Sequence, residues 1–131
     1  MHHLKIKQGM ELYIKLIKME RTWLPNFKGG WGNGYVCISK EHPFYGVHYD
    51  HIPVDVHGGL TYGGMEANGF YCVGFDTAHI GDTLEEWPLL AVEGEALNLY
   101  DQMVRLGKTW TREQVEQRVR DLDKQVEQDE S

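Results

Sequence analysis

Residues 70–82 run Phe70-Tyr71-Cys72-Val73-Gly74-Phe75-Asp76-Thr77-Ala78-His79-Ile80-Gly81-Asp82, and their reading decides the fold. The first six are apolar on both alternating faces, the pattern of a strand covered on two sides and placed centrally in a sheet. The next seven leave that strand through a polar corner. Beyond Asp82 the spacing turns helical, so strands come first along the chain and helices after them.

Working upstream, Leu4 and Ile6 alternate with Lys5 and Lys7, and Leu12, Ile14 and Leu16 with Tyr13 and Lys15. These are strand periods. Ile17 breaks the second, which leaves a helix over 10–20 open. Thr22–Gly34 reads as a loop, because Pro25, Asn26, Gly29, Gly30, Gly32, Asn33 and Gly34 punctuate it. Trp23, Phe27 and Trp31 in that loop are either core plugs or a lid over a flat ligand. Tyr35–Ser39 is expected as a short strand, Glu41-His42-Pro43 as a turn and Ile52–Val56 as a third strand ended by Gly58-Gly59. Gly63-Gly64 and Asn68-Gly69 read as turns.

Downstream, Thr83-x-x-Glu86 has the form of a capping box, with Asp82 favouring the first-turn amides and Pro88 limiting the turn. Glu95–Leu106 is expected as a helix with Leu97, Tyr100 and Val104 on one side and Gly107 as its stop. Thr111-x-x-Gln114 is a second capping box, with Trp110 and Val115 placed as its staple. Val115, Val119, Leu122 and Val126 then form one narrow apolar stripe, fit for the surface of the sheet or for a partner chain.

These readings give an α+β fold: a mostly antiparallel sheet of about four to five short strands, a C-terminal amphipathic helix, and a smaller helix packed on the sheet. The 131 residues make a single domain, with 1–33 as strand and loop lead-in, 34–82 as sheet core and 83–131 as helical part. A chain of this length buries roughly two-thirds of its unfolded surface and needs no metal or disulfide to fold.

The formal charge of −7 argues against nonspecific DNA or RNA binding, which depends on clustered Lys and Arg. No apolar run approaches the length of a membrane span and no signal-peptide pattern opens the chain, so a cytoplasmic protein is expected. Cys37 and Cys72 sit in apolar β-like runs and read as buried, reduced thiols on neighbouring strands.

The chemistry concentrates in two segments. In a strand Asp55 and His57 share a face, and Gly58 and Gly59 behind them permit close backbone approach to a ligand. Asp76, His79 and Asp82 recur at three-residue intervals, which on a helical turn lines them up. If the two segments adjoin, two histidines and three carboxylates meet at one end of the sheet. Imidazole and carboxylate are ordinary ligands for Zn²⁺, Mn²⁺ or Fe²⁺, so Asp55, His57, Asp76, His79 and Asp82 are candidate ligands of a divalent metal. An Asp–His pair is also a general base, which makes His57, His79, Asp55 and Asp76 the candidate catalytic residues. The bland alternative is that Asp caps a turn and His79 satisfies buried carbonyls. A second histidine-rich stretch, 42–51, reads equally as a binding loop or a packed turn. Tyr45, His48, Tyr49, Gly58, Gly59, Tyr62 and Trp31 are the candidate ligand-binding residues, the aromatics by stacking or hydrogen bonding.

Asp55-Val56-His57-Gly58 resembles the D-x-H-G element of calcineurin-like metallophosphoesterases, and Gly81-Asp82 their G-D element. The D-R-G continuation and the G-N-H element are missing, and the chain is too short for that two-sheet fold. Gly34-Tyr35-Val36, His42-Pro43 with Tyr45-Gly46, Val54–Tyr62 (VDVHGGLTY) and Gly74–Asp82 (GFDTAHIGD) resemble a family of small uncharacterised proteins of tailed bacteriophages and prophages. That resemblance covers most of 34–126 and brings no catalytic assignment. What it implies is setting: a phage accessory protein in bacterial cytoplasm. The expected function is a small hydrolase acting on a nucleotide-like or phosphate-bearing small molecule, to counter host defence signalling. The alternatives are a sponge that holds a nucleotide signal without turnover, or an inhibitor of a host enzyme. A homo-oligomer through the C-terminal helix is a further expectation.

Overall fold

The structure is a computed structural model that describes residues 3–7, 10–20 and 29–130. Trp23 and Phe27 lie outside the described residues. Five strands, β1 (His3–Lys7), β2 (Met10–Lys18), β3 (Gly32–Ile38), β4 (Tyr62–Met65) and β5 (Tyr71–Phe75), form one antiparallel sheet in the order β1-β2-β3-β5-β4. Two helices follow, α1 (Leu89–Thr109) and α2 (Arg112–Glu130). The α+β architecture stands, and so does the interior position of β5, all five of whose residues are buried. The helix left open over 10–20 is excluded: Met10, Leu12 and Ile14 are buried on one face while Glu11, Tyr13 and Lys15 lie half-buried on the other.

Two glycine-based expectations fail for one reason, that glycine also permits close packing. Gly32, Asn33 and Gly34 belong to β3 rather than to a loop. A Cβ on Gly34 would lie 2.7 Å from the Phe75 ring and 3.2 Å from the Ala96 Cβ, so the missing side chain lets α1 settle on the sheet. Gly63 and Gly64 lie inside β4, and the hairpin to β5 turns instead at Asn68-Gly69, where Gly69 has φ +87° and the Asn68 carboxamide accepts the Phe70 amide.

α1 is longer than expected and turned about its axis. Pro88 sits at the N-cap position with extended backbone, where its missing N–H costs nothing, and its carbonyl accepts the Val92 amide. The helix therefore starts at Leu89, six residues before the expected boundary, and runs through the buried Gly107. Its buried face is Val92, Ala96, Leu99, Tyr100, Met103 and Leu106; of the three residues expected there Tyr100 is buried, whereas Leu97 and Val104 are only partly covered. The small side chain of Ala96 marks where helix and sheet come closest.

The second capping box is formed. The Thr111 amide donates to Gln114 Oε1 and the Gln114 amide to Thr111 Oγ1, starting α2. Among the residues of α2 up to Val126, only Val115 is buried, with Val119 packed partly behind it. This helix lies on residues 42–51 rather than on the sheet: Arg112 donates to the Pro43 and Tyr45 carbonyls, and Arg118 to that of His51.

Cys37 and Cys72 are register partners on β3 and β5, as neighbouring strands require, but they are joined in a disulfide rather than reduced. Direct opposition on one face brings the two sulfurs together. Sequence periodicity shows the strands and not the register, which is why the bond was not expected.

Candidate functional site

Ile52–Val56 is not a strand. The Val54 amide donates back to the Ile52 carbonyl, and the segment pairs with no strand neighbour among the described residues. Gln102 on α1 takes that place: its side-chain oxygen accepts the Asp55 amide at 2.8 Å, and its Nε2 donates to the Asp55 carbonyl at 2.8 Å. A side-chain amide thus satisfies both backbone groups of one residue, as a ladder partner would. Asn98 donates to the same carbonyl, and Glu95 accepts the His57 amide at 2.7 Å. Three α1 side chains, one turn apart, therefore hold 55–57 against the helix. Val54 and Val56 face the core and Asp55 faces solvent.

Behind His57 the chain turns sharply. The Gly59 amide donates to the Val56 carbonyl, and Gly58 takes φ +69° and Gly59 φ +78°. Gly58 is needed twice over. Its backbone is left-handed, and a Cβ would lie 2.4 Å from His79 Cε1 and 2.5 Å from Nε2.

The corner after β5 is also irregular, not a helical turn. Buried Thr77 anchors it to β3 by donating to the Gly32 carbonyl, while its own carbonyl accepts the Gly30 amide. The Ala78 amide donates to Asp76 Oδ1, and a tight turn at 79–82 is closed by the Asp82 amide donating to the His79 carbonyl, with Gly81 at φ +95°.

These two irregular segments meet. Asp82 is the hub: Oδ1 lies 2.8 Å from His57 Nε2, while Oδ2 accepts the His79 amide at 3.0 Å and lies 3.2 Å from His79 Nδ1. Asp76 Oδ1 approaches the same Nδ1 at 3.3 Å. The two rings stand edge to face, 5.3 Å apart, and Trp87 covers His57 with ring centroids 4.1 Å apart. The side chain of Asp82 is 6% exposed, those of His57 and His79 25% and 34%. Burial pushes the Asp82 carboxyl up, but the His79 amide and the two imidazoles outweigh it and hold it below the ordinary carboxylate range.

Four of the five expected ligands are brought together, His57, His79, Asp76 and Asp82. Asp55 is not, because the face-sharing argument required a strand. Of the expected ligand-binding residues, Gly58 forms the floor under His79 and Gly59 completes its turn. Trp31 is linked to the site only indirectly, its amide donating to the Trp87 carbonyl. Tyr45, His48 and Tyr49 lie in the other loop and are engaged there: Tyr45 donates to the Gly69 carbonyl and His48 stacks on Tyr49 at 4.4 Å. Tyr62 sits edge-on to Tyr35, with 5.4 Å between centroids. Trp87 and Glu95 are the residues sequence reasoning missed. Glu95 sits one turn before Asn98 and two before Gln102, a polar row on one side of a buried helix that hinted at a backbone held there.

One ring nitrogen each of His57 and His79 and an Asp82 oxygen lie within 4.8 Å of one another, so the trio can hold a metal ion. It can equally hold a water against a base, with Asp82 orienting both rings.

No family model, curated protein or solved structure matches the chain. Among the described residues, no helix is long and apolar enough to cross a membrane.

Proposed function

We propose that this chain is a small hydrolase that cleaves a phosphate-bearing, nucleotide-like small molecule at the His57–Asp82–His79 cluster. The observation that carries the reading is the nearly buried Asp82 carboxylate bonded to two half-exposed imidazoles. A purely structural aspartate at a turn needs amide partners only. An aspartate that orients two rings toward solvent has the arrangement used to activate water. In the reaction a water oxygen bonds to phosphorus and the ester P–O bond breaks with its electron pair on the leaving oxygen. The water proton passes to the imidazole–carboxylate cluster and from there to the leaving group. Exposed Ile80 and Leu84 on the same corner offer apolar contact to the rest of such a molecule.

The bacteriophage setting, the role against host defence and the cytoplasmic location belong to the same reading and rest on the motif resemblance. The Cys37–Cys72 bond weighs against a reducing compartment, where disulfides are uncommon. Exposed Val126, on the outer part of α2, supports contact with a second copy through that helix.

The test is incubation with a panel of linear and cyclic nucleotides and simple phosphate esters, followed by heat denaturation and chromatography of the supernatant. Turnover by the wild type, lost in His79→Gln, is expected. Recovery of every compound unaltered after prolonged incubation sinks the hydrolase, and retention of unaltered compound until denaturation supports the sponge in its place.

A further inference from the structure

The electrostatics of the cluster are at odds with its proposed substrate. Asp76 and Asp82 face the rings, and Glu95 accepts the His57 amide just behind them. With neutral imidazoles, the site presents carboxylates to an anionic phosphate, on a chain of net charge −7. Like charges at such separations repel strongly once water is excluded. Among the described residues no lysine or arginine bonds to a cluster member.

We infer that a divalent transition-metal ion, Zn²⁺ or a chemically similar ion, binds between His57 Nε2, His79 Nδ1 and the Asp82 carboxylate. The inference rests on the hydrolytic reading for its purpose but on geometry for its site. Metal–ligand bonds of about 2.0–2.1 Å in a tetrahedron place neighbouring ligand atoms about 3.3 Å apart. The observed contacts are 3.2 Å from Asp82 Oδ2 to His79 Nδ1 and 2.8 Å from Asp82 Oδ1 to His57 Nε2, one ring at each carboxylate oxygen. One ligand atom of each of the three residues lies within 4.8 Å of the others, so an ion takes the place of these two hydrogen bonds once the side chains draw in around it. Two neutral imidazoles and one carboxylate match the donor set of catalytic zinc sites, which leave the remaining position to water. Partial exposure of both rings leaves that position reachable.

The supports are also those a metal site needs. The His57 backbone is fixed by Glu95 and its ring is held under Trp87. The His79 amide is tied to Asp82 itself. Asp76 stays outside the trio, with its carboxylate 31% exposed and Oδ1 beside His79 Nδ1. It is placed to receive the proton of a water bound to the ion. The ion turns a repulsive site into one that attracts phosphate and lowers the pKa of its water.

The experiment is to strip the full chain with a chelator, titrate it with Zn²⁺ and Co²⁺, and measure stoichiometry by elemental analysis and geometry by the visible Co²⁺ spectrum. One ion per chain with a tetrahedral Co²⁺ spectrum is expected. Affinity should fall on the order of 100-fold or more in His57→Gln and in His79→Gln, and stay unchanged in His51→Gln, which lies outside the trio. Asp82→Asn is the second carboxylate-side variant, read only if circular dichroism shows it folded. A folded wild type that binds no ion at micromolar concentration overturns the inference, as does equal binding by His57→Gln and His79→Gln. Hydrolysis that survives chelation overturns the ion and leaves the hydrolase standing. Stoichiometric binding without hydrolysis of any compound leaves the ion site standing and removes the hydrolase.

Discussion

Residues 42–51 and the paired segments 54–59 and 76–82 look alike as sequence, each mixing histidine, aspartate and glycine, yet the fold uses them in different ways. His42 is buried with both ring nitrogens bonded to backbone: Nδ1 accepts the Phe44 amide and Nε2 donates to the Met103 carbonyl at 2.8 Å. That arrangement fixes one neutral tautomer and leaves nothing for chemistry. His57 and His79 are half-exposed and share a carboxylate. What separates His42 from His57 and His79 is the partner, a neutral peptide group in the first case and one nearly buried carboxylate shared by two rings in the second; His51 meets only the exposed carboxylate of Asp123.

Around His42, Phe44 is completely buried and meets Trp110 edge to face at 5.5 Å, where the loop, the end of α1 and the start of α2 converge. Tyr71 donates to the Val47 carbonyl from beneath. The part of this loop that carries His42, Phe44 and Val47 is a wedge of core. The other two segments border the core and are held mainly by polar bonds.

The comparison breaks most visibly at Phe44. Phe44→Ala is expected to cost about 3–5 kcal/mol in urea unfolding, the range for emptying a buried aromatic site. A cost near 1 kcal/mol would mean the loop is not part of the core. His42→Ala should cost about 2–3 kcal/mol, since it strands the Phe44 amide and removes a bond to Met103. His57→Ala should cost less than that and yet abolish ion binding; the reverse order of stabilities would erase the distinction between the two histidines.

Gly58→Ala sharpens the same contrast from the backbone side. Left-handed φ and contact with the His79 ring predict a loss of about 1–3 kcal/mol, with weakened ion affinity because His79 must move. Gly46, also left-handed at φ +76° but with open space where a Cβ would go, is the control: Gly46→Ala should cost less and leave ion affinity untouched.

The smallest effect is in pH. Burial opposes ionisation of Asp82, but the His79 amide and both imidazoles prevail, so its folded pKa lies below the unfolded one. The unfolded chain then takes up the proton first as acid is added, and the stabilisation present above about pH 4 is lost as pH falls through the folded value. In ion-free protein, unfolding free energy should decline below about pH 4 more steeply in wild type than in Asp82→Asn. Parallel acid limbs would show that Asp82 gains nothing from its histidines.

The parts of this protein legible in its sequence are those whose cause is local. Period-two burial in β2, the apolar run of β5, the reciprocal Thr111–Gln114 cap and the α+β order of elements each depend on residues within a few positions of one another. The motifs of the site were legible too, since four of its expected ligands converge. Tertiary structure alone decided which neighbour each residue meets. It set the register that joins Cys37 to Cys72, the face of α1 that approaches Gly34, and the replacement of a strand partner for Asp55 by Gln102. It also excluded Asp55 from the cluster and brought in Trp87 and Glu95. Each of these depends on distance across the fold, and a side chain's spacing along the chain carries no record of what will be packed against it.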